Sequence, residues 1–422
     1  MKPLVPRCKG SFCLLLLFLV TSFVSAQSEE SLITINGIVK DQRNRTTLEY
    51  VNISVPGTNI GTITNTDGEF SLKVSKAYKD LYLEISHIGY ITSKLPLKPT
   101  NSDKHVFYLN PNSIILEEVI VSPVYPRKLV EQAIDKIGDN YNPFPSMLTG
   151  FYRETSQKGR KYINVTEAVT KLYKTAYKEN EGITRDRVRI EKGRQLVSPK
   201  QGDTLGVKLI GGPTLALALD VVKNRDELLD KETLYYYEFK FDDLVLIDNQ
   251  LHYVISFIPM MPLPYPLYRG KLYINKETVA FTRAELNIDM RDKGKVTKMI
   301  LRKKPAGLIF KPVGLSTLLT YKEQNGRTYL NYVRNEIKFK CDWKKKWFHT
   351  SYAVVSEMVI TNREDNPDST ISSKEAFRES QVLSDKVGNF YDEKFWGDYN
   401  IIEPTESLER AVNKLKKAIN EE

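Results

Sequence analysis

YRGKLYINKETVAFTRAELNI, from Tyr268 to Ile288, decides the fold. In Lys271–Ile274 and Val279–Ile288 the side chains partly alternate between apolar and polar, as a half-buried strand requires. Asn275–Thr278 between them reads as a hairpin turn. The same rhythm continues outward. Leu251–Ile258, Leu308–Tyr321 and Thr328–Cys341 read as further strands, and Leu234–Ile247 forms a second hairpin with Leu251–Ile258 through Asp248-Asn249-Gln250. Leu234–Lys340 therefore predicts a large antiparallel sheet.

The chain has 422 residues, enough for two or three domains with real cores. With 41% apolar and 27% charged residues, it has the balance of a folded protein rather than a disordered one. The N-terminus stands apart. Lys2, Arg7 and Lys9 precede the apolar run Phe12–Val20, and Val24-Ser25-Ala26-Gln27 suits cleavage after Ala26. Residues 1–26 thus read as a signal peptide. The alternative is an uncleaved anchor, but the run is short of the roughly 20 residues a span needs. No further membrane segment is expected after cleavage, and no Cys stands at the cleavage boundary to carry a lipid. Cys8 and Cys13 would leave with the signal, so Cys341 alone remains and no internal disulfide can form. Export without disulfides suits a Gram-negative periplasm. In that compartment the sequons at Asn44, Asn52 and Asn164 carry no message. The formal charge is +10; without Lys2, Arg7 and Lys9 the 62 basic residues become 59 against 52 acidic ones, or +7. That surplus is too dilute to point to nucleic acid, but it permits contact with an anionic membrane surface.

Ile33–Leu109 contains seven short strand patterns: Ile33–Lys40, Glu49–Val55, Ile60–Thr64, Phe70–Val74, Leu81–Ser86, Tyr90–Leu95 and His105–Leu109. Asn65-Thr66-Asp67-Gly68 is a turn in which Gly68 can take positive φ. A small β-sandwich buries one face of such strands. Asp67 and Glu69 read as turn acids, since a calcium site needs about six or more oxygens. ITINGIVKD, YVNISVPGTNIGTITNTDGEFSL and LYLEISHIGY resemble the carboxypeptidase-regulatory-like domain of Bacteroidota envelope proteins. Gly37, Pro56, Gly57, Gly61, Asp67, Gly68, Phe70, Gly89 and Tyr90 match its pattern, and LEEVIVSP (Leu116–Pro123) resembles the segment that often leaves it in outer-membrane receptors. The resemblance implies a transthyretin-like sandwich over residues 27–112, found in front of TonB-dependent receptors and of other exported proteins. It implies no peptidase activity. The long C-terminal barrel of such receptors has no counterpart in this sequence.

A linker and helix follow in residues 113–147. Pro123 and Pro126 mark the linker. Arg127–Tyr141 reads as a helix with Leu129, Ala133, Ile134 and Ile137 on one stripe, ended by Asn142-Pro143-Phe144-Pro145. Residues 148–403 read as the large β-rich domain. Leu148–Thr155 and Val188–Val197 look like strands, whereas Lys161–Tyr173 fits either a strand or a helix. Thr214–Val222 predicts a short helix against the sheet, Thr361–Ser373 a loop, and Lys374–Val382 a short helix. In residues 404–422, Leu408, Val412, Leu415 and Ile419 form the stripe of a helix that Thr405 can cap and that is expected to dock on the folded body.

The strand–turn–strand order around YRGKLYINKETVAFTRAEL is similar to the half-barrel folds of lipoprotein carriers and related periplasmic lipid binders, which implies a curved sheet with an apolar cavity. FYRE (Phe151–Glu154) and FWGDYNIIEP (Phe395–Pro404) resemble Bacteroidota proteins in which the same first domain precedes a β-rich domain. The expected fold is mainly β: a small seven-stranded sandwich followed by a large α+β domain with a curved antiparallel sheet, a half-barrel being one form it could take.

Two stretches are candidates for contact with a ligand or a membrane. Pro259–Pro266 carries Met260, Met261, Leu263 and Tyr265 among four prolines, which bars a regular central strand and leaves a rim loop, a lid or a buried crossing. Trp343-Lys344-Lys345-Lys346-Trp347 sits at a hairpin tip, where three lysines between two tryptophans could seat on anionic lipid or hold phosphate or carboxylate groups. The alternative for that tip is a solvated turn. The sequence lacks the zinc patterns HxxE and HExxH and the GxSxG elbow, and no catalytic residue, metal or cofactor is assigned. A Cys341–His349 contact and an Asp398–Glu403 pair are the conceivable chemistry that remains. These readings favour a non-catalytic periplasmic binding or structural protein associated with the outer membrane, with a lipid or other apolar ligand and an outer-membrane protein as partners. The alternatives are an envelope hydrolase and an accessory protein of a TonB-dependent nutrient receptor.

Overall fold

The computed structural model describes residues 32–78, 82–96, 105–112, 125–177, 185–200, 203, 205–225, 228–343, 349–389 and 393–420. The signal peptide expected at residues 1–26, and Lys344, Lys345, Lys346 and Trp347, lie outside the described residues.

The first domain is a two-layer sandwich. One layer pairs β4 (Glu69–Ser75), β1 (Leu32–Asp41) and β7 (His105–Leu109); the other pairs β3 (Gly61–Ile63), β2 (Asn52–Ser54), β5 (Tyr82–Ser86) and β6 (Ser93–Pro96). β1 alternates strictly between half-buried and buried positions, and Ile33, Ile35 and Val39 join Ile53, Leu72, Leu83 and Ile85 in one core. The turn at Asn65 forms as expected. Its side chain accepts from the N–H groups of Asp67 and Glu69, and Gly68 has φ 77°.

After helix α1 (Pro126–Asp135) and a further helical turn α2 (Ile137–Asn140), the chain builds an open sheet that does not close into a barrel. Its order is β12 (Tyr237–Ile247), β13 (Gln250–Pro259), β14 (Tyr268–Asn275), β15 (Phe281–Ile288), β17 (Leu308–Gln324), β18 (Arg327–Trp343), β19 (Thr350–Asp365), β8 (Ser146–Lys158), β9 (Lys161–Lys174) and β10 (Arg187–Val197). These ten are antiparallel, and the two-residue β20 (Gly388–Asn389) adds in parallel beside β10. The hairpins follow turn chemistry. Asp248-Asn249 and Asn325-Gly326 both have positive φ at their two central residues, the combination that matches strand twist. At the quoted hairpin, Asn275 is the last residue of β14 and its side chain accepts from the N–H groups of Glu277 and Thr278. That turn places Val279 at φ 59°, so β15 starts two residues later than the alternation suggests.

Other expectations shift for local reasons. Lys161–Lys174 is a strand, paired with β8 along its length with one bulge, at Ile163. Thr361–Asp365 continues β19 instead of looping, because β8 extends alongside it as far as Ser146. Lys374–Val382 forms turns instead of a helix; the Phe377 N–H bonds to the Val188 carbonyl, which ties this segment to the edge of the sheet. Two further elements, α4 (Lys293–Ile300) and β16 (Leu301–Lys303), fill the connection from β15 to β17. β16 pairs with β11 (Lys208–Leu209), and α3 (Pro213–Ala218) lies against β10, β18 and β19.

The sheet is covered on both faces. On one, α1, α2, α3 and α4 pack into a core with Leu148, Leu172, Phe257, Leu286, Leu319 and Ile337. Asp220, fully buried here, accepts from the hydroxyls of Tyr177 (2.8 Å) and Tyr321 (2.7 Å) and pairs with Lys174 at 2.8 Å. On the other face sit the first domain and the strap from Glu393 to Thr405. Ile63 packs with Phe151, Val169, Tyr332, Trp396 and Ile402, and Lys322 bonds to Ser54 and Glu84. Arg153, Glu167 and Arg194, all buried in the sheet, meet beneath the strap. Arg153 also donates to the Ile402 carbonyl, and Arg194 lies over the Trp396 ring. The last helix, α5 (Glu406–Asn420), docks as expected, with Leu408, Val412 and Leu415 buried against Val165 and Leu196. The Thr405 hydroxyl accepts from the Leu408 N–H.

Candidate ligand cavity

A cavity of about 1040 Å³ opens on the helix-bearing face, at the ends of β8, β9, β10 and β19. Those strands bring Glu154, Ser156, Ile163, Val197 and Val354 to its floor, and the register Val354–Ser156–Asn164–Val197 sets them side by side. Its walls are irregular: residues 205–212 on one side and 378–385 on the other. This volume lies at the upper end of the about 300–1,000 Å³ common to small-molecule sites. Nine of the lining side chains are Val, Leu or Ile, among them Leu205, Val207, Leu209 and Leu383, and these offer van der Waals partners to an apolar chain.

Polar and charged side chains make up most of the remaining lining, many of them on the wall formed by residues 378–385. Glu154 points inward from β8. Its Oε2 accepts from the Tyr152 hydroxyl at 2.8 Å and from the Gly212 N–H at 3.3 Å. Burial holds this carboxyl above the ordinary Glu range, and the two hydrogen bonds offset only part of that. Gly212 takes φ 84°, which turns its N–H toward Glu154 at the start of α3. Asp203 is occupied by Lys161 and the Ser198 hydroxyl. Arg185, Lys208, Arg302 and Arg378 line the cavity at exposed positions, as do Glu379 and Asp385.

The residues singled out from the sequence fall elsewhere. Met260, Met261 and Tyr265 stand out from the β13–β14 connection, 56%, 43% and 50% exposed, and do not line the cavity. Leu263 in the same loop packs against the core. Trp343, at the end of β18, is 49% exposed and lies against Gly307. Of the stretch Leu234–Lys340, only Arg302 reaches the cavity lining. The conceivable chemistry does not converge either. Burial, with Asp342 next to it, pushes the Cys341 thiol up to about 11, and the His349 ring contacts Lys311. Asp398 and Glu403 lie near Lys73 where the strap meets the first domain, on the opposite face from the cavity. The cavity was hidden from sequence reasoning because segments 205–212 and 378–385 have no periodic pattern. Glu154, on the same side of β8 as Tyr152, was the one legible signal: an acid on a face that should be apolar.

Among solved structures, the chain is similar to a DUF1329 family protein from Desulfovibrio piger (11% identity, TM-score 0.24, 58% of this chain and 93% of that one). It is also similar to a domain assigned to an outer membrane lipoprotein-sorting protein of Vibrio parahaemolyticus (9%, TM-score 0.23, 57% and 95%). A third likeness is to lipovitellin, in a structure titled for its lipid–protein interactions (7%, TM-score 0.27, 61% and 29%). TM-scores this low support no transfer of function. The TonB-dependent receptor SusC of Bacteroides thetaiotaomicron is 34% identical over 115 residues, which are 27% of this chain and only 11% of that receptor. Residues 35–121 match the CarboxypepD_reg-like domain family, in agreement with the two-layer sandwich observed there.

Proposed function

We propose that the protein is a non-catalytic binding protein of the cell envelope that holds an apolar chain in the cavity between β8–β10, β19 and residues 205–212. The observation that carries this reading is the cavity itself: about 1040 Å³, floored by the sheet, with nine aliphatic side chains in its lining. Its one inward acid, Glu154, is held by Tyr152 and Gly212, and Asp203 is occupied by Lys161, so neither has the freedom a hydrolytic pair needs. The first domain, clamped to the opposite face, leaves the cavity side unobstructed and is proposed to serve assembly in the periplasm at the outer membrane.

Native mass spectrometry of the protein purified gently from its own envelope, followed by organic extraction, tests this reading. Stoichiometric co-purifying lipid or another apolar molecule is expected. Protein that carries no such ligand, and takes up none from mixed lipid extracts, would refute it.

A further inference from the structure

The connection between β15 and β17 carries a concentration of positive charge. Between residues 289 and 311 there are eight Lys and Arg against two Asp. α4 turns Val296 and Ile300 into the core and leaves Lys293 and Lys298 exposed. Arg302 and Lys303 continue the row on β16, also exposed. None of these four has an acidic partner among the described residues, whereas Lys295 pairs with Asp292, the helix cap.

This basic strip has an apolar group at each end. At its start the Arg291 guanidinium donates to the Pro259 carbonyl, which fixes the strip beside Met260, Met261 and Tyr265, with Tyr235 and Ile258 also exposed nearby. At its far end β16 leads through Gly307 to Trp343, which is 49% exposed. The strip also meets the cavity. Arg302 belongs to both, and Gly206 touches Leu308 next to the cavity wall.

We infer that this strip, from Met260 through α4 to Trp343, is a docking surface for an anionic lipid bilayer. The partner follows from charge complementarity. Unpaired lysines and arginines on a helix whose apolar side is already buried attract anionic headgroups, while Met, Tyr and Trp side chains at the margins enter the headgroup–acyl boundary. A protein partner would be expected to bring acids at fixed positions; a bilayer supplies them everywhere, which suits a strip without a shaped pocket. Docking here brings the cavity mouth to the membrane surface. The inference goes beyond ligand binding and is tested without any cavity ligand.

The experiment is co-sedimentation of the protein purified from its own envelope with vesicles of phosphatidylcholine, with and without phosphatidylglycerol. Binding to the anionic vesicles is expected to exceed binding to neutral ones and to weaken as salt is raised. Lys298→Glu with Lys303→Glu, both exposed and outside the cavity lining, should lower the affinity for anionic vesicles about tenfold or more. Met260→Ser with Trp343→Ser should weaken it while leaving the salt dependence in place. Thermal unfolding of each variant, unchanged from the parent, confirms that the fold is intact. Equal binding to neutral and anionic vesicles, no binding to either, or parental affinity in both variants would overturn the inference. Failure of ligand co-purification would not, so the two readings fall separately.

Discussion

The Tyr152 hydroxyl donates to Glu154 Oε2 at 2.8 Å in the wall of the cavity, and burial holds that carboxyl above its usual range despite the bond. The sign of the linkage follows. A carboxyl raised in the folded state binds protons that the unfolded chain releases, so stability falls as pH rises from the ordinary Glu value of 4.5 through the folded one. Glu154→Gln keeps an acceptor for Tyr152 and Gly212 but does not titrate. We expect it to unfold at a higher temperature than the parent at neutral pH, with the advantage shrinking as pH falls toward 4.5. Parallel unfolding curves over pH 4–8 would measure it; an unaltered pH profile would contradict it.

Glu167 titrates with the opposite sign. Burial alone would raise its carboxyl, but Arg153 at 2.6 Å and Arg194 at 2.8 Å outweigh burial and hold it below the ordinary range. Its stabilising effect is present above the unfolded value of 4.5 and is lost as pH falls through the folded one. Glu167→Gln leaves two guanidiniums buried without a counter-charge and should cost about 3–5 kcal/mol in chemical denaturation. A loss below about 1 kcal/mol would show that the strap and Trp396 hold the arginines without it.

His87, at the junction of the first domain with β12, is pushed down to about 4 by burial, with a smaller contribution from Arg283. It is neutral in the folded protein throughout the mildly acidic range, while the unfolded chain gains its proton near 6.5. Stability from this site is therefore lost as pH falls from 6.5 toward 4. Proton NMR of the imidazoles should find a ring titrating at about 4, and His87→Gln should remove that resonance.

Gly270 on β14 faces the β15 backbone so closely that a Cβ there would lie 1.8 Å from the Glu285 carbonyl oxygen. Gly270→Ala must push two central strands apart and should cost about 3 kcal/mol or more, read from the denaturation midpoint. Gly314→Ala is the control, because nothing lies within 4 Å of its added Cβ.

The sheet was legible wherever one face is buried. Leu251–Ile258 and Thr328–Cys341 became Gln250–Pro259 and Arg327–Trp343, and the final helix began at the capping Thr405 as read. The sandwich was legible from its alternation and from the Asn65–Gly68 turn. What escaped has no period. α4 is eight residues with two buried side chains, Val296 and Ile300, too few to mark a stripe. The cavity depends on pairings across more than a hundred residues, such as Val354 with Ser156, which local patterns do not encode. The basic strip was not read from the sequence, because its meeting with Met260 at one end and Trp343 at the other depends on the sheet order.

The most direct test of the central claim fills the cavity. Val197→Trp with Leu205→Trp places two indoles in the lining space at positions that are not fully buried. Native mass spectrometry of parent and variant purified side by side gives the occupancy of each. The account predicts a co-purifying apolar molecule on the parent and its loss from the folded variant; equal occupancy in both, or a parent that is empty and takes up nothing from mixed lipid extracts, would contradict it.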